Sequence, residues 1–449
     1  MTDVIVIGGG AAGWSCALAA AQAGASVALF EKCAESGGSS ALSGGCLAFA
    51  GTDLQAQQGV ADSADRLFCD LVEVGQRQND EALVRTYCDA QLGTYNWLRQ
   101  AGVRFSPVIE TASGQSVPRV HSVDPADMVR TLKAAALRGG RVDYFPGRAV
   151  ADLLADRQGR VAGVRTLDGE TFGAAKGVVL ASGGFAKNGE LLMRYAPHYA
   201  EAVFVAGAGS QGDGLRMGLA LGADLRDMDY IKGTFGKHPT DETNDHSLQA
   251  VYKGAIAVNQ NGQRFVDESI SYKLLGDAVM AQPWHTAYQI MDQAIFDTGD
   301  DRVRILDFGR RLEEGLFYVD DSLAGLAAQI EIDPAVLADT VARYNRYVEE
   351  GHDPEFGRAH LVHKHGALRP IATPPFYAYP STAVVFGTYC GLRIDSEARV
   401  LRPDGSAIAG LLAAGEVTGG FHGAAYMTGS ALGKAVVFGR IAGEKAAGA

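Results

Sequence analysis

The sequence has few cysteines, no excess of basic residues and no long hydrophobic run. Its six cysteines form no CxxC pair, which argues against any metal site or dithiol redox centre and favours free thiols in a reducing compartment. Lysine and arginine number 40 against 52 aspartates and glutamates, so no basic surface for nucleic acid is expected. No stretch approaches the roughly 18 apolar residues of a transmembrane helix, and we expect no membrane span.

Several sequence signals of location and electron transfer are also missing. An apolar strand begins at Val4, which leaves no room for a signal peptide, so we expect a cytoplasmic protein. No haem-binding CxxCH motif and no iron–sulfur spacing occurs. A redox function would therefore need an external electron partner. No sequence feature indicates the oligomeric state.

Glycine, in contrast, is abundant, and its 57 residues cluster in short bursts that are typical of tight turns near a ligand. The first burst follows the apolar strand and reads Gly8-x-Gly10-x-x-Gly13, after which a small-residue helix and a second strand end at Glu31. Gly8 would permit the turn, Gly10 would admit a pyrophosphate and Gly13 would allow close helix packing. Glu31 would bind ribose hydroxyls and repel a 2′-phosphate. This unit predicts a dinucleotide site that disfavours NADP.

The character of the sequence changes twice along the chain. Helical periodicity over residues 60–102 and strand-rich sequence over 142–180 give way near residue 225 to a region richer in aromatic and charged residues. Glycine-rich sequence returns towards the C-terminus. Because 449 residues exceed what one hydrophobic core usually supports, we predict an α/β domain formed by 1–225 and 388–449, with an α+β domain inserted at 226–387.

Further glycine-rich segments carry a family resemblance. GVVLASGG at 177–184 resembles the second glycine-turned strand of glutathione-reductase-type flavoproteins, and LLAAGEVTGG at 411–420 resembles their C-terminal motif, in which an acid, here Glu416, binds the ribityl chain. With SGGSS at 36–40 and VNQNGQRFVDE at 258–268, the chain resembles the fumarate reductase/succinate dehydrogenase flavoprotein superfamily. The resemblance implies a Rossmann-like FAD-binding domain of the glutathione-reductase type, capped by the inserted domain.

The resemblance also implies the FAD contacts. Succinate dehydrogenases attach the flavin through a histidine near the early serine and glycine segment, whereas the first histidine here is His121, so non-covalent FAD is expected. The implied contacts are small residues of the glycine-rich segments and a few charged ones: Gly8, Gly10, Ala11, Ala12, Gly13, Glu31, Lys32, Ser39, Ser40, Gly44, Gly45, Val150, Ser182, Gly183, Asp213, Glu416, Ser430 and Leu432.

Departures from the superfamily pattern bear on the substrate. Fumarate reductases have arginines where this chain has Tyr272 and Tyr426, and their paired histidines are replaced by the segment 386–391. Without fixed positive charge, a fumarate site would leave two carboxylates buried and uncompensated. Tyrosines at these two positions resemble the 3-ketosteroid dehydrogenases, and the spacing from Tyr426 to Gly433 is closer to the Δ4-(5α) type than to the Δ1 type.

The resemblance implies roles in removing hydrogen from a ketone. Tyr426, with the Gly429 backbone N–H, would donate hydrogen bonds to the carbonyl oxygen. Tyr272 would take the α-proton, with Tyr389 as an alternative relay, and FAD N5 would take the β-hydride. A tyrosine has a pKa of about 10, so a phenolate base near pH 7 costs roughly 4 kcal/mol. Lys273 could lower that cost, but on a strand it would point to the opposite face from Tyr272.

The leading sequence-based hypothesis is an FAD-dependent dehydrogenase that desaturates the α,β bond of a cyclic ketone, either a 3-oxosteroid or a cyclohexanone-type ring. A second is an enone or enoate reductase that runs the same chemistry backwards. A third, of another class, is a flavin-binding redox sensor or subunit without its own substrate. We interpret Arg264 as structural, Arg310 and Arg311 as a solvated charge cluster, and His422 as a structural or flavin-edge residue.

Overall fold

The computed structural model describes residues 2–199, 202–231, 233–241 and 246–448. Within these ranges the chain forms nineteen strands and fourteen α-helices. The strands are β1 (Thr2–Ile7), β2 (Val27–Phe30), β3 (Cys46–Ala48), β4 (Ile109–Glu110), β5 (Val120–Ser122), β6 (Val142–Phe145), β7 (Val150–Ala155), β8 (Val161–Thr166), β9 (Thr171–Leu180), β10 (Val203–Phe204), β11 (Leu225–Arg226), β12 (Thr234–Lys237), β13 (Ile256–Val258), β14 (Ala287–Asp292), β15 (Tyr318–Asp320), β16 (Phe376–Val385), β17 (Gly391–Leu392), β18 (Arg399–Leu401) and β19 (Ala407–Ala413).

The helices connect and cover these strands. They are α1 (Ala11–Gln22), α2 (Gly38–Ala41), α3 (Asp53–Gln57), α4 (Ala64–Val74), α5 (Glu81–Ala101), α6 (Pro125–Arg138), α7 (Gly189–Tyr195), α8 (Asp213–Ala220), α9 (Tyr272–Met280), α10 (Gln293–Phe296), α11 (Phe308–Glu313), α12 (Leu323–Gln329), α13 (Pro334–Glu350) and α14 (Ser430–Ala447). None of the described helices combines the length and hydrophobicity that a membrane crossing requires.

An eight-stranded sheet lies at the centre of the first hydrophobic core. Its main order is β18-β19-β9-β1-β2-β6, and β7 and β8 extend it from β9. The pairings β19-β9, β9-β1, β1-β2 and β2-β6 along this path are parallel, whereas β18 is antiparallel to β19. The α/β class and the strand–turn–helix–strand unit at the N-terminus are therefore confirmed. In such a sheet the loops that follow the parallel strands meet at one edge, which is where ligands bind.

A second sheet of six strands is organised around β16. Strands β10, β12, β14 and β15 all pair with β16, and β13 pairs with β14. A second hydrophobic core packs on this sheet, and its buried residues all fall between positions 248 and 379, inside the predicted insertion. Strand β10, however, lies before residue 225 in the chain. The predicted domain boundaries remain a prediction.

Two arginine predictions have different outcomes. Arg264 is buried, with Nη2 2.7 Å from Glu268 Oε2 and 2.9 Å from Asp353 Oδ2, so it is structural, as predicted. The prediction that Arg311 is solvated is wrong. Helix α11 turns Arg311 inward, where it is fully buried and its Nη1 lies 2.7 Å from Glu314 Oε2. Arg310 is exposed on the same helix.

Candidate active site

One cavity of about 610 Å³ connects the edge of the large sheet with the predicted catalytic tyrosines. It is lined by most of the predicted site residues, namely Gly8, Gly10, Ala11, Ala12, Glu31, Lys32, Ser39, Ser40, Gly44, Gly45, Val150, Ser182, Gly183, Asp213, Tyr272, Tyr389, Glu416, Tyr426 and Leu432. Three predicted residues, Gly13, Gly429 and Ser430, are not among the residues that line it. The chain thus brings segments from all of its length to one site.

The glycine turn after β1 has the geometry that a phosphate-binding turn requires. Gly8 has φ +110°, in the region that favours glycine. A Cβ on Gly13 would lie 1.8 Å from the Gly8 carbonyl oxygen, so only glycine lets α1 pack this closely on β1. The N-terminus of α1, at Ala11 and Ala12, lines the cavity. Its free N–H groups and partial positive charge favour a pyrophosphate.

Charged side chains surround this part of the cavity. Glu31, which follows β2, accepts hydrogen bonds from the N–H groups of Gly9 at 2.7 Å and Cys33 at 2.8 Å, and its carboxylate also faces the cavity. Lys32 Nζ lies 2.5 Å from Asp213 Oδ2 at the start of α8. The carboxylate of Glu31 is therefore held in place beside the turn, where a ribose would lie.

Two buried polar groups complete the end of the cavity at the sheet edge. Glu416 accepts a hydrogen bond from the Thr388 N–H at 2.8 Å, and burial raises the pKa of its carboxyl group. The Ser182 hydroxyl is buried and has no hydrogen-bond partner within the described ranges, although it lines the cavity. Such an unsatisfied group needs a partner from a ligand. Together with the glycine turn, these residues fit FAD.

Three aromatic hydroxyl groups meet at the other end of the cavity. The ring centroids of Tyr272 and Tyr426 are 5.6 Å apart, and those of Tyr389 and Tyr426 are 5.0 Å apart. The ring of His422 lies 5.4 Å from those of Tyr389 and Tyr426. We call Tyr272, Tyr389 and Tyr426 the tyrosine cluster. The sequence-based prediction that these three side chains share one site agrees with this geometry, while their roles remain predictions.

Local backbone contacts position the tyrosine cluster. Ser271 Oγ, at the N-cap of α9, donates to the Tyr426 carbonyl at 2.8 Å. This bond joins the segments that carry Tyr272 and Tyr426. Tyr389 has φ +55°, a conformation that is costly for a residue with a side chain and that is concentrated at functional sites. Gly429 donates its N–H to the Tyr426 hydroxyl oxygen at 3.1 Å and so acts on Tyr426 instead of facing the cavity.

Burial determines the ionisation of the cluster. It raises the pKa values of Tyr272 and Tyr389 well above 10, and the neighbouring Tyr426 raises both further. Burial also raises the pKa of Tyr426, but only to about 12. Hydrogen bonds from Tyr272 and from the N–H groups of Gly429 and Ala431, at the N-terminus of α14, limit the rise. All three members of the cluster are therefore neutral phenols near pH 7.

Lys273 brings a positive charge beside these rings. Its Nζ lies 4.3 Å from the ring centroid of Tyr389 and 5.6 Å from that of Tyr426, and it donates to Thr234 Oγ1 at 2.8 Å. The expectation that Tyr272 and Lys273 lie on a strand and face opposite ways is wrong, because α9 begins at Tyr272. Consecutive helical residues are about 100° apart, so Lys273 can lie beside the tyrosine rings, although it is not among the residues that line the cavity.

His422 is buried next to the cluster, and its pKa is well below the usual value because of burial and the nearby charges of Lys434 and Lys273. It is therefore a neutral ring at neutral pH. Histidine is missing from the residues that line the cavity within the described ranges. His121 is held elsewhere, with ring nitrogens 2.8 Å from Thr52 Oγ1 and 2.9 Å from the Arg119 carbonyl. The non-covalent attachment of the flavin remains a prediction.

Sequence reasoning missed the side of the cavity contributed by the second part of the chain. Thr234, Ser247, Gln249, Arg304 and Ile305 line it, but none of them lies in a glycine-rich motif or a family signature. They can be recognised as part of the site only from their hydrogen bonds and burial in the structure. Besides Arg304, Arg148 also lines the cavity, near the sheet edge, and it forms ion pairs with Asp168 and Glu170.

Comparison with known proteins agrees with this geometry. The family described as "FAD binding domain" matches residues 3–432. The fumarate reductase (cytochrome) of Shewanella frigidimarina is 34% identical over 99% of this chain and 77% of its own length. The chain belongs to the fumarate reductase family of FAD-binding flavoproteins.

Other members of this family act on different compounds. The urocanate reductase of Eggerthella lenta is 32% identical over 99% of this chain and 74% of its own. Among solved structures, the 3-ketosteroid-Δ4-(5α)-dehydrogenase from Rhodococcus jostii RHA1, in complex with 4-androstene-3,17-dione, has a TM-score of 0.79 at 27% identity and covers 99% of this chain and 96% of that one. The predicted family and FAD cofactor are therefore confirmed, and the protein is an FAD-dependent oxidoreductase that acts on carbon–carbon bonds.

Proposed function

We propose that this flavoprotein interconverts an uncharged cyclic ketone and its α,β-unsaturated enone, and that enone reduction is the direction its resting site favours. The observation that carries the proposal is the tyrosine cluster. Tyr272 and Tyr426 occupy positions where fumarate reductases have arginines, so at these two positions the cavity presents phenols to the substrate. Phenols can polarise a carbonyl by hydrogen bonding, but they do not compensate the two negative charges of a dicarboxylate.

Bound FAD would supply hydride exchange with the β-carbon of the substrate. The chain's own residues handle the carbonyl and the proton. Tyr426 donates its hydroxyl hydrogen to the carbonyl oxygen, and the Gly429 N–H at its oxygen stabilises negative charge that develops on it. Tyr272 delivers a proton to the α-carbon, so that one hydride and one proton add across the double bond. Tyr389, beside Lys273, returns a proton to the cluster.

The protonation state of the cluster distinguishes the two directions. With a pKa of about 12, Tyr426 is neutral at pH 7, and burial raises the pKa values of Tyr272 and Tyr389 so that they are neutral as well. Neutral phenols are ready to give protons, as reduction requires. Desaturation needs a phenolate to take the α-proton, so its rate would rise with pH, up to about tenfold per unit below the pKa of the base.

The second candidate is the desaturation of a cyclic ketone, a 3-oxosteroid or a smaller ring, with an external electron acceptor. It is favoured by the likeness to a dehydrogenase whose solved structure holds 4-androstene-3,17-dione. Lys273 also favours it, since a cation near the rings lowers the cost of a phenolate. The names of the fumarate and urocanate relatives favour reduction instead.

Anaerobic flavin absorbance separates these candidates. Reduced enzyme is mixed with cyclohex-2-enone, 4-androstene-3,17-dione or fumarate, and oxidised enzyme with cyclohexanone, between pH 6 and 9. We expect the enones to restore the oxidised flavin band at rates that vary little with pH, and fumarate to be at least tenfold slower. Bleaching by cyclohexanone that accelerates with pH would establish the second candidate. Faster reoxidation by fumarate than by either enone would contradict both.

A further inference from the structure

Ser247 and Gln249 lie on the side of the cavity that the sequence did not predict. Each is buried and carries a polar atom without a hydrogen-bond partner within the described ranges. Ser247 and Gln249 are 7% and 2% exposed, and both line the cavity. Neither Ser247 Oγ nor Gln249 Oε1 has a hydrogen-bond partner within the described ranges. A buried polar atom without a partner is costly unless a ligand satisfies it.

The backbone around this pair is held firmly. Leu248 N–H donates to the Gly236 carbonyl at 2.9 Å, and Gln249 N–H donates to the Ile305 carbonyl at 3.0 Å. Gln289, from β14, donates to the Leu248 carbonyl at 3.0 Å and accepts from the Val251 N–H at 3.1 Å. The segment is therefore fixed on both sides, and the unsatisfied atoms cannot easily turn towards another protein group.

The amide of Gln249 has a defined orientation. Its Nε2 donates to the carbonyl oxygen of Phe235, which leaves Oε1 as a hydrogen-bond acceptor. Ser247 Oγ can both donate and accept. An alcohol satisfies the two together, because its hydrogen can go to Gln249 Oε1 and its oxygen can accept from Ser247. A ketone, an ether or a hydrocarbon leaves Gln249 Oε1 unpaired.

This pair is connected to the tyrosine cluster through β12. Phe235, which binds the Gln249 amide, follows Thr234 in β12, and Thr234 Oγ1 accepts from Lys273. Lys273 in turn follows Tyr272 on α9. The same cavity therefore contains phenols suited to a carbonyl and, on a separate wall, an acceptor and a hydroxyl suited to an alcohol.

We propose that Ser247 and Gln249 form a specificity subsite for a hydroxyl group that the substrate carries away from its reacting carbonyl. This inference rests on the proposed function and narrows the substrate class to hydroxylated cyclic enones and ketones. A site built to bind a hydroxyl discriminates against analogues that lack it, since its own buried groups then stay unpaired. We expect the preference to be roughly 10- to 100-fold.

The test compares cyclohex-2-enones that carry hydroxyl, methoxy or hydrogen on ring carbon 4, as oxidants of the reduced enzyme. The measured quantity is the ratio of kcat/KM for the hydroxyl compound to that for each of the others. We expect this ratio to be about 10 or more in the wild type and to fall towards 1 in Ser247→Ala and Gln249→Met. Gln329→Met, an exposed change on α12, is the matched control and should keep the wild-type ratio.

A binding measurement keeps the inference testable even without turnover. Hydroquinone and 4-methoxyphenol, which mimic the enol of the substrate, are titrated into oxidised holoenzyme while the flavin spectrum is followed. Tighter binding of hydroquinone that is lost in Ser247→Ala supports the subsite, even if no enone reacts and the proposed function fails. Equal ratios and equal binding in wild type and variants, with enones still reduced, would overturn the subsite and leave the proposed function standing.

Discussion

The two ends of the cavity are built in different ways. At the sheet edge, backbone turns and helix N-termini shape the site, and most of its residues come from short segments that follow parallel strands. At the other end, side chains from separate parts of the chain meet: Tyr272, Tyr389, His422 and Tyr426 cluster there, and Thr234 supports the cluster through Lys273. The first arrangement is suited to hold a cofactor. In the second, a single substitution is enough to change the chemistry of the site. We therefore expect substrate choice to be determined at the tyrosine end.

The largest expected effect is at the sheet edge. Gly13→Val should abolish FAD retention and lower the free energy of unfolding by about 3 kcal/mol, because its Cβ would collide with the backbone of Gly8. Flavin content and denaturant unfolding of the purified variant measure both effects. Gly139→Ala, where an added Cβ meets nothing within 4 Å, is the control. Normal flavin content in Gly13→Val would show that this turn does not depend on close packing.

An intermediate effect is expected at the tyrosine end. Tyr426→Phe removes the hydroxyl that we assign to the substrate carbonyl and should lower kcat/KM for cyclohex-2-enone by about 10²–10³-fold. Flavin content should stay unchanged, since the ring still fills its place. Tyr318→Phe, at an exposed position on β15, controls for the loss of a hydroxyl as such. Full activity in Tyr426→Phe would remove the basis of the proposed mechanism.

The smallest effect is expected for Glu31 at the sheet edge, where a change in FAD affinity without a change in kcat would separate the two ends. Glu31→Gln keeps the size of the side chain but loses the charge, and should raise the Kd for FAD by roughly tenfold, the value of one hydrogen bond to a charged group. Titration of the apoprotein with FAD measures it, and Glu35→Gln, on the same cavity wall, is the control. We expect kcat at saturating FAD to be unaffected. A change in kcat alone would mean that Glu31 acts on the substrate.

Most residues that the sequence assigned to FAD line the sheet-edge end of the cavity, because the signals that mark them are local. The spacing from Gly8 to Glu31 and the segment around Glu416 each follow a strand, so parallel pairing in β1, β2 and β19 brings them to one edge. The tyrosines were found through departures from a family pattern, which points to positions but not to contacts. That the Gly429 N–H contacts the Tyr426 hydroxyl depends on how the turn before α14 folds.

Other features had no local signal at all. The position of Ser247 and Gln249 depends on hydrogen bonds that their segment makes with Gly236, Phe235 and Ile305. These partners are distant in the chain or carry no motif. Arg311 was misassigned because the burial of a charged residue on a short helix depends on what packs over it. Propensity and spacing describe the helix or strand that carries a residue. The burial and hydrogen bonds of these residues depend instead on how different elements pack together.

Helix α14 contacts both ends of the site. Its N-terminal N–H groups hold the Tyr426 oxygen, Leu432 and Ala435 line the cavity, and the absence of a side chain at Gly439 lets it press against the backbone of Ala12 in α1. The helix thus connects the phosphate turn to the phenol that we assign to the substrate carbonyl, and none of these residues belongs to the second core. We therefore expect substitutions in that core to leave this connection intact.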